Sequence, residues 1–149
     1  MQDLESLSAS QAIRALTRRE IKATDLLLAC LDRIGQRENT IRAWTSLGKE
    51  NALMRAKELD KGAIKGLLHG LPIGVKDLYD TYDLPTSYGS PIYTNHYPST
   101  DAVSIALIRQ AGGIVLGKTA TTEFANFKSG PTANPHNPKH TPGGSSSGS

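Results

Sequence analysis

The apolar residues of this chain change their spacing near Gly66, and that change limits the folds the chain can adopt. Before Gly66 they recur every three or four positions, which is the period of helices with one buried face; the repeats are Ala12, Ile13 and Leu16, then Leu27, Leu28, Leu31 and Ile34, then Leu53, Ala56 and Leu59. Ser10 and Thr24 are the predicted N-caps, with Asp25 in a first turn where the helix dipole favours a carboxylate. Residues 1–65 are therefore predicted to be a helical N-terminal part.

After Gly66 the sequence becomes rich in glycine, proline and β-branched residues. The segment 71–75 predicts a short buried strand, 102–111 a helix and 114–116 a second strand, and from Ser129 onward we expect loop. A helix between two strands is typical of a crossover connection in a parallel or mixed sheet. The chain is therefore expected to have an α/β fold in which a mixed β-sheet is sandwiched between helices.

Composition and charge narrow the class of protein. With 38% apolar and 21% charged residues and a net charge of +3, the chain resembles an ordinary globular domain, and its basic residues are spread over the predicted helices. Direct nucleic-acid binding is therefore not expected. Cys30 is the only cysteine and cannot form an internal disulfide, which favours a reducing, cytoplasmic location. Neither a signal peptide nor a membrane-spanning segment is predicted.

One nucleotide-binding pattern occurs in the chain, in a context that argues against it. Residues 112–119, from Gly112 to Thr119, match the P-loop pattern G-x4-G-K-[ST] letter for letter. A phosphate-binding loop needs a strand before its first glycine and a helix after its lysine. Here the predicted helix comes first, and Ile-Val-Leu lies between the glycines. We interpret the glycines as the end of the helix and the apolar triplet as a buried strand.

Two further patterns are also interpreted as structural. Ser46 and Lys49 match the S-x-x-K of serine β-lactamases, but the intervening Gly48 disfavours the helical turn, and neither accompanying motif is present. His136 and His140 lie four residues apart, but Pro138 prevents the helix that would bring both imidazoles to one metal. We therefore predict no metal site and no cofactor.

Lys76 and the glycine-serine run from Gly143 to Ser149 together carry the functional signal. A lysine at the end of a buried strand lies near the carboxyl edge of a sheet, where α/β enzymes place their chemistry. At an ordinary pKa of about 10.4, neutralising a lysine at pH 7 costs roughly 4.6 kcal/mol, so only a lysine in a burying environment makes a good base. Paired glycines followed by serines could turn hydroxyls and backbone N–H groups into one pocket, although composition alone would also fit a flexible linker.

The combination of segments resembles the amidase signature family. The segments that carry the resemblance are 69–77 around Lys76, 111–119, 122–125, 134–142 and the terminal glycine-serine run, and the likeness extends from about Leu7 to Ser149. In that family the lysine is the general base, and the first serine after the paired glycines, here Ser145, follows a cis peptide bond and relays protons to a serine nucleophile. The resemblance also implies substrate contacts at Phe124 and Ala125.

The resemblance implies a carboxylic amide hydrolase acting on a small molecule through an acyl-serine intermediate. Its nucleophile would fall beyond Ser149, so residues 66–149 are expected to be the first portion of the catalytic core and the chain alone to be inactive. The expected partners are a second copy of the chain or the missing C-terminal portion of the same enzyme. The run of three serines and Leu78-Tyr79-Asp80 look more like small-molecule amidases. The A subunit of a tRNA-dependent amidotransferase and a non-catalytic truncated paralogue that binds a partner protein remain open.

Overall fold

The computed structural model describes residues 3–149 and shows an α/β architecture with four α-helices and three β-strands. The helices are α1 Ala9–Thr17, α2 Ala23–Ile41, α3 Lys49–Lys61 and α4 Val103–Gln110. The strands are β1 Trp44–Leu47, β2 Pro72–Lys76 and β3 Ile114–Thr119. Single 3₁₀ turns lie at Leu4–Ser6, Pro91–Tyr93 and Glu123–Ala125.

The two predicted N-caps were both misplaced. Helix α1 begins after Ser8 and not Ser10, because the Ser8 hydroxyl accepts the Gln11 N–H while the Gln11 side chain accepts the Ser8 N–H, a capping box. Helix α2 begins at Ala23, so Thr24 lies inside it. The N–H groups of Ala23 and Thr24 donate to the Asp60 carboxylate, at 2.7 and 3.2 Å. A residue at the end of α3 thus caps α2, and short-range sequence patterns carry no sign of it.

The sheet has the order β1-β3-β2, with β2 parallel and β1 antiparallel to β3. Strand β3 is longer than predicted and continues to Thr119, which is paired in register with Lys76. Helix α4 is the crossover between the parallel strands, as predicted. Strand β1 was not predicted, and it means that residues 1–65 are not helical throughout. Its four residues are too few to show a strand period, and its pairing partner lies about 70 residues away.

Helices cover both faces of the sheet. On one face Ile114 and Leu116 of β3 join a buried apolar cluster from α1, α2 and α3, whose members are Ala12, Leu16, Ala23, Leu26, Leu27, Ala52, Ala56 and Leu59. On the other face Val75 and Val115 pack with Leu84 and with Ile105 of α4. The predicted mixed sheet between helices is therefore confirmed. No helix within residues 3–149 is long and apolar enough to span a bilayer.

Candidate active site

Lys76 is the last residue of β2, and its half-buried side chain reaches the glycine-serine run. The Lys76 amine lies 2.6 Å from the Ser145 hydroxyl, within hydrogen-bond distance. The two residues are 69 positions apart in sequence. Parallel pairing with β3 holds the Lys76 end of β2, so the amine is presented from a rigid element of the sheet.

Backbone contacts with the chain that follows β3 fix the position of Ser145. The Ser145 carbonyl accepts the Thr122 N–H at 3.0 Å, and the Gly148 N–H donates to the Ala120 carbonyl at 2.8 Å. Within the run, the Ser147 hydroxyl donates to the Gly143 carbonyl at 2.9 Å. The glycine-serine run is therefore an ordered loop packed on the sheet and not an extended linker.

The two glycines before Ser145 have separate structural roles. Gly143 has a φ of +95°, a conformation that residues with a Cβ rarely adopt. A Cβ on Gly144 would lie 2.7 Å from Cγ2 of Thr122, so only glycine allows this approach. The peptide bond between Gly144 and Ser145 is cis. The turn brings the Ser145 hydroxyl to Lys76 while its carbonyl pairs with Thr122.

A cavity of about 340 Å³ opens beside Ser145. Its walls include Thr122, Ala125, Phe127 and Ser145. Of the two predicted substrate contacts, Ala125 lines this cavity and Phe124 does not. The half-exposed Phe124 ring instead meets Tyr93 edge-to-face, with the ring centroids 6.1 Å apart. A substrate role for Ala125 and Phe124 stays a prediction.

The loop that carries Phe124 and Ala125 is held by one glutamate. The Glu123 carboxylate accepts the Ser90 hydroxyl at 2.8 Å and pairs with the Lys128 amine at 3.1 Å. The hydrogen bond from Ser90, followed by the contact with Lys128, lowers the pKa of Glu123 from its ordinary value. An ionised Glu123 therefore ties the wall of the cavity to the segment around Ser90 and Tyr93.

The residues of the P-loop pattern form the middle strand of the sheet. β3 runs from Ile114 through Thr119, and Gly112 turns the chain into it with a φ of +91°. Lys118, the lysine of the pattern, is fully buried and lies 3.1 Å from the Asp77 carboxylate. Burial lowers the pKa of Lys118, and the negative charge of Asp77 opposes that shift. A lysine engaged in this way is not available to bind a phosphate.

The other two sequence patterns do not assemble sites either. Ser46 lies in β1, whereas Lys49 begins α3 beyond Gly48, so the two are not on one helical turn. His136 and His140 lie in turns of the segment that precedes the glycine-serine run. Among residues 3–149 no group of three or more His, Cys, Asp or Glu side chains could hold a metal ion.

Sequence reasoning missed the pairing of Lys118 with Asp77, although the sequence contains a signal for it. Lys118 follows the apolar triplet of β3 directly, and a lysine within a buried strand requires an anionic partner. Asp77 is the residue after Lys76, which places this buried pair next to the candidate site.

Comparisons with known proteins agree with this geometry. The family model described as Amidase matches residues 25–149. The A subunit of glutamyl-tRNA(Gln) amidotransferase from Lawsonia intracellularis is 42% identical over 96% of this chain, and an amidase of Pseudomonas putida is 38% identical over 96%. The sequence preference for small-molecule amidases is thus left undecided, because both kinds of protein are among the relatives.

The structural comparison gives the same family. Native peptide amidase from Stenotrophomonas maltophilia superposes with a TM-score of 0.88 at 34% identity, over 96% of this chain and 33% of that one. The chain spans 31% of the length of each of the two curated relatives named above. The family match over residues 25–149, the sequence identity and the shared fold lead to one conclusion: this chain belongs to the amidase family.

Proposed function

We propose that the protein is the N-terminal part of an enzyme that hydrolyses a carboxylic amide C–N bond through an acyl-serine intermediate. Lys76 is the general base, Ser145 is the proton relay, and the nucleophile is a serine expected downstream of residue 149. The observation that carries the proposal is the 2.6 Å hydrogen bond between Lys76 and Ser145 in a chain of the amidase family.

The proton path follows from this pair. The neutral Lys76 amine takes the Ser145 hydroxyl proton as Ser145 takes the proton of the nucleophilic serine, whose oxygen attacks the amide carbonyl carbon. When the C–N bond breaks, the proton returns from Lys76 through Ser145 to the departing nitrogen. Water then hydrolyses the acyl ester by the same relay, which restores the free serine and releases the carboxylic acid.

The substrate in this proposal is a small-molecule amide. The cavity beside Ser145 has a volume of about 340 Å³ and is lined by Ala125 and Phe127 as well as by polar groups. Such a cavity suits a small ligand with an apolar part and an amide group. Ala125 is the proposed contact at the cavity wall. A substrate contact at Phe124 is proposed from the family resemblance, since its ring packs against Tyr93 and does not line this cavity.

A second candidate is the A subunit of a tRNA-dependent amidotransferase, favoured by the identity of 42% to the Lawsonia intracellularis protein of that name. An experiment separates the two with a version that extends to the nucleophile. Ammonia released from an amide in the absence of tRNA supports the hydrolase, whereas amide nitrogen recovered on glutamyl-tRNA(Gln) supports the amidotransferase. Failure of both reactions would favour the non-catalytic paralogue.

The compartment and the partners are also part of the proposal. The proposed compartment is the reducing cytoplasm, and its support is the single cysteine of the sequence, Cys30, which cannot form an internal disulfide. The proposed partners are a small-molecule amide, and either a second copy of the chain or the C-terminal portion of the same enzyme. No direct contact with nucleic acid is proposed.

Replacement of Lys76 tests the base role. In a version that extends to the nucleophile, Lys76→Ala should lower turnover by at least about a hundredfold, since a general base contributes that much or more. Lys76→Arg should not restore turnover, because a guanidinium stays charged and cannot accept a proton. Thermal unfolding of both variants checks that the fold persists. Near-normal turnover by folded Lys76→Ala would show that another group is the base.

A serine-reactive probe tests whether residues 1–149 carry the nucleophile themselves. We expect no covalent labelling of the purified chain by a fluorophosphonate, because Ser145 serves as a relay and the nucleophile with its oxyanion hole is assigned to the downstream portion. Loss of one oxyanion donor alone costs about a hundredfold or more in rate. Stoichiometric labelling of Ser145, Ser146 or Ser147 that Lys76→Ala abolishes would contradict this assignment.

A further inference from the structure

Lys118 and Asp77 form an ion pair that is closed off from solvent. Their side chains are 0% and 1% exposed, and the amine and carboxylate lie 3.1 Å apart. Burying two charges carries a large desolvation penalty, and apolar residues of similar volume often stabilise a fold as well or better. Stability alone therefore does not account for a buried ion pair at this place.

The pair anchors the chain that follows β2. The Lys118 amine also donates to the Thr86 hydroxyl at 2.6 Å, and the Asp77 carboxylate accepts from both the backbone N–H and the hydroxyl of Ser87. The ammonium and the carboxylate thus each have polar partners besides one another. The result is a directional clamp between β3, the end of β2 and the segment 86–87.

Asp77 and Lys76 are consecutive, so the clamp acts on the backbone from which the Lys76 side chain extends. Successive side chains along a strand project to opposite faces. Lys76 contacts Ser145 whereas Asp77 contacts Lys118, and between them the Asp77 N–H donates to the Thr119 carbonyl at 2.8 Å. Any movement of Asp77 relative to β3 therefore shifts the Cα atom of Lys76, from which its side chain extends.

The same strand also holds Ser145. The residues that follow Lys118 bind the glycine-serine run through two backbone hydrogen bonds. The Ala120 carbonyl accepts the Gly148 N–H, and the Thr122 N–H donates to the Ser145 carbonyl. The positions of Lys76 and Ser145 are thus both fixed relative to β3. Lys76 is fixed through the clamp, and Ser145 through the residues that follow β3. The clamp fixes the relative position of the two candidate active-site residues.

We propose that Lys118, through its buried ion pair with Asp77, is a positioning residue that holds the Lys76 amine against Ser145 from the opposite face of the sheet. The inference rests on the proposed function for the meaning of that contact. The test measures the contact between Lys76 and Ser145 and does not measure turnover. The positioning role of Lys118 can therefore fail while the base role of Lys76 stands, and the reverse.

The test removes both charges together in the full 149-residue chain. The double variant Lys118→Met/Asp77→Asn leaves no unpaired buried charge, and the introduced side-chain amide keeps an acceptor for the Ser87 N–H. The rate at which a limiting acetylating reagent modifies the Lys76 amine is followed by peptide mass spectrometry. Ser145→Ala gives the reference for a lost contact, and its Lys76 rate should rise about fivefold, the factor that one hydrogen bond of ordinary net strength represents.

The double variant should raise the Lys76 rate by a factor close to that of Ser145→Ala while its thermal unfolding stays cooperative. The control is Arg109→Met/Asp83→Asn, which removes the 2.6 Å ion pair between Arg109 of α4 and Asp83 of the preceding loop. It also removes the 2.9 Å contact of Arg109 with Asp101, and it should leave the Lys76 rate unchanged. A folded Lys118→Met/Asp77→Asn protein with the wild-type Lys76 rate would overturn the proposal, because the pair would then serve stability alone.

A milder variant keeps the proposal testable if the double variant does not fold. Thr86→Val is nearly isosteric and removes the 2.6 Å hydrogen bond of Lys118 without changing a charge. It should raise the Lys76 acetylation rate about two- to threefold, less than Ser145→Ala, since only one contact of the clamp is lost. An unchanged Lys76 rate in folded Thr86→Val would also overturn the proposal.

Discussion

Two regions of this molecule are held together by different interactions. In the helical layer, defined as α1, α2 and α3, the buried residues are apolar, and Ala23, Leu27 and Ala56 are completely enclosed. In the site loops, defined as residues 77–102 and 120–149, most buried residues are polar: Asp77, Thr81, Thr86, Ser90, Thr121, Thr122, Thr132 and Ser147. The site loops also expose large apolar side chains, of which Phe127 is 97% exposed.

The two kinds of buried residue make different contributions, one to the stability of the fold and the other to the geometry of the candidate site. Apolar burial stabilises a fold in proportion to area and is not directional, whereas hydrogen bonds contribute little net energy but fix angles and distances. The helical layer can therefore supply most of the stability. The site loops can hold Ser145 at the distance and angle that its hydrogen bond with Lys76 requires. Perturbing each region in turn tests this division.

The largest stability effect is expected from the helical layer. Leu27→Ala should lower the free energy of unfolding by about 2–5 kcal/mol, because Leu27 is fully buried and a cavity would replace it. The neighbouring Leu28 is 51% exposed, so Leu28→Ala is the matched control and should change stability by less than about 0.5 kcal/mol. Chemical denaturation measures both. Equal effects of the two variants would contradict the assignment of the core to this face of α2.

A smaller effect is expected from the cap that α3 supplies to α2. Asp60→Ala removes the acceptor of the Ala23 and Thr24 N–H groups and should cost about 1–2 kcal/mol in unfolding free energy. Asp32→Ala removes an exposed carboxylate that accepts a hydrogen bond from the Gln36 side chain, and it serves as the control, with an effect near zero. If Asp60→Ala were as stable as Asp32→Ala, the cap would contribute nothing to joining the two helices.

The smallest effect is expected in the site loops and appears as a pH dependence. The pKa of Glu123 lies below its ordinary value of 4.5, so the ionised form is favoured in the folded chain. Its contribution to the loop is present above that value and is lost as the pH falls through the lowered pKa. Ser90→Ala should raise the pKa of Glu123 more than Lys128→Met does, as carboxyl chemical shifts in an NMR titration would measure. The reverse order would show that the charge of Lys128 dominates.

Local sequence patterns predicted those helices and strands whose own residues show the characteristic spacing of apolar side chains. The Ile-Val-Leu triplet indicated β3, and the apolar residues at helical spacing from Leu27 to Ile34 indicated α2. The features that were missed depend on distant partners: β1 exists through pairing with β3, and Asp60 caps a helix 36 positions earlier. Spacing rules contain no information about such contacts.

The same limit applies to the candidate site. The sequence singled out Lys76 and the glycine-serine run, but only the family resemblance indicated Ser145 within that run as the partner of Lys76, because no local pattern joins residues 69 positions apart. The resemblance also indicated Phe124, whose ring meets Tyr93 and does not line the cavity beside Ser145. The pairing of Lys118 with Asp77 was missed because the predicted strand ended at Leu116, so Lys118 was not expected to be buried, whereas β3 continues to Thr119.

The central claim is that Lys76 and Ser145 act as one unit, and a double-mutant cycle on turnover tests it most directly. In a version that extends to the nucleophile, Lys76→Ala, Ser145→Ala and the double variant are compared at saturating amide. Residues that act as a unit are strongly non-additive, so the double variant should lose about as much as Lys76→Ala alone. A double variant whose loss equals the product of the two single losses would contradict the account, because Lys76 and Ser145 would then act independently.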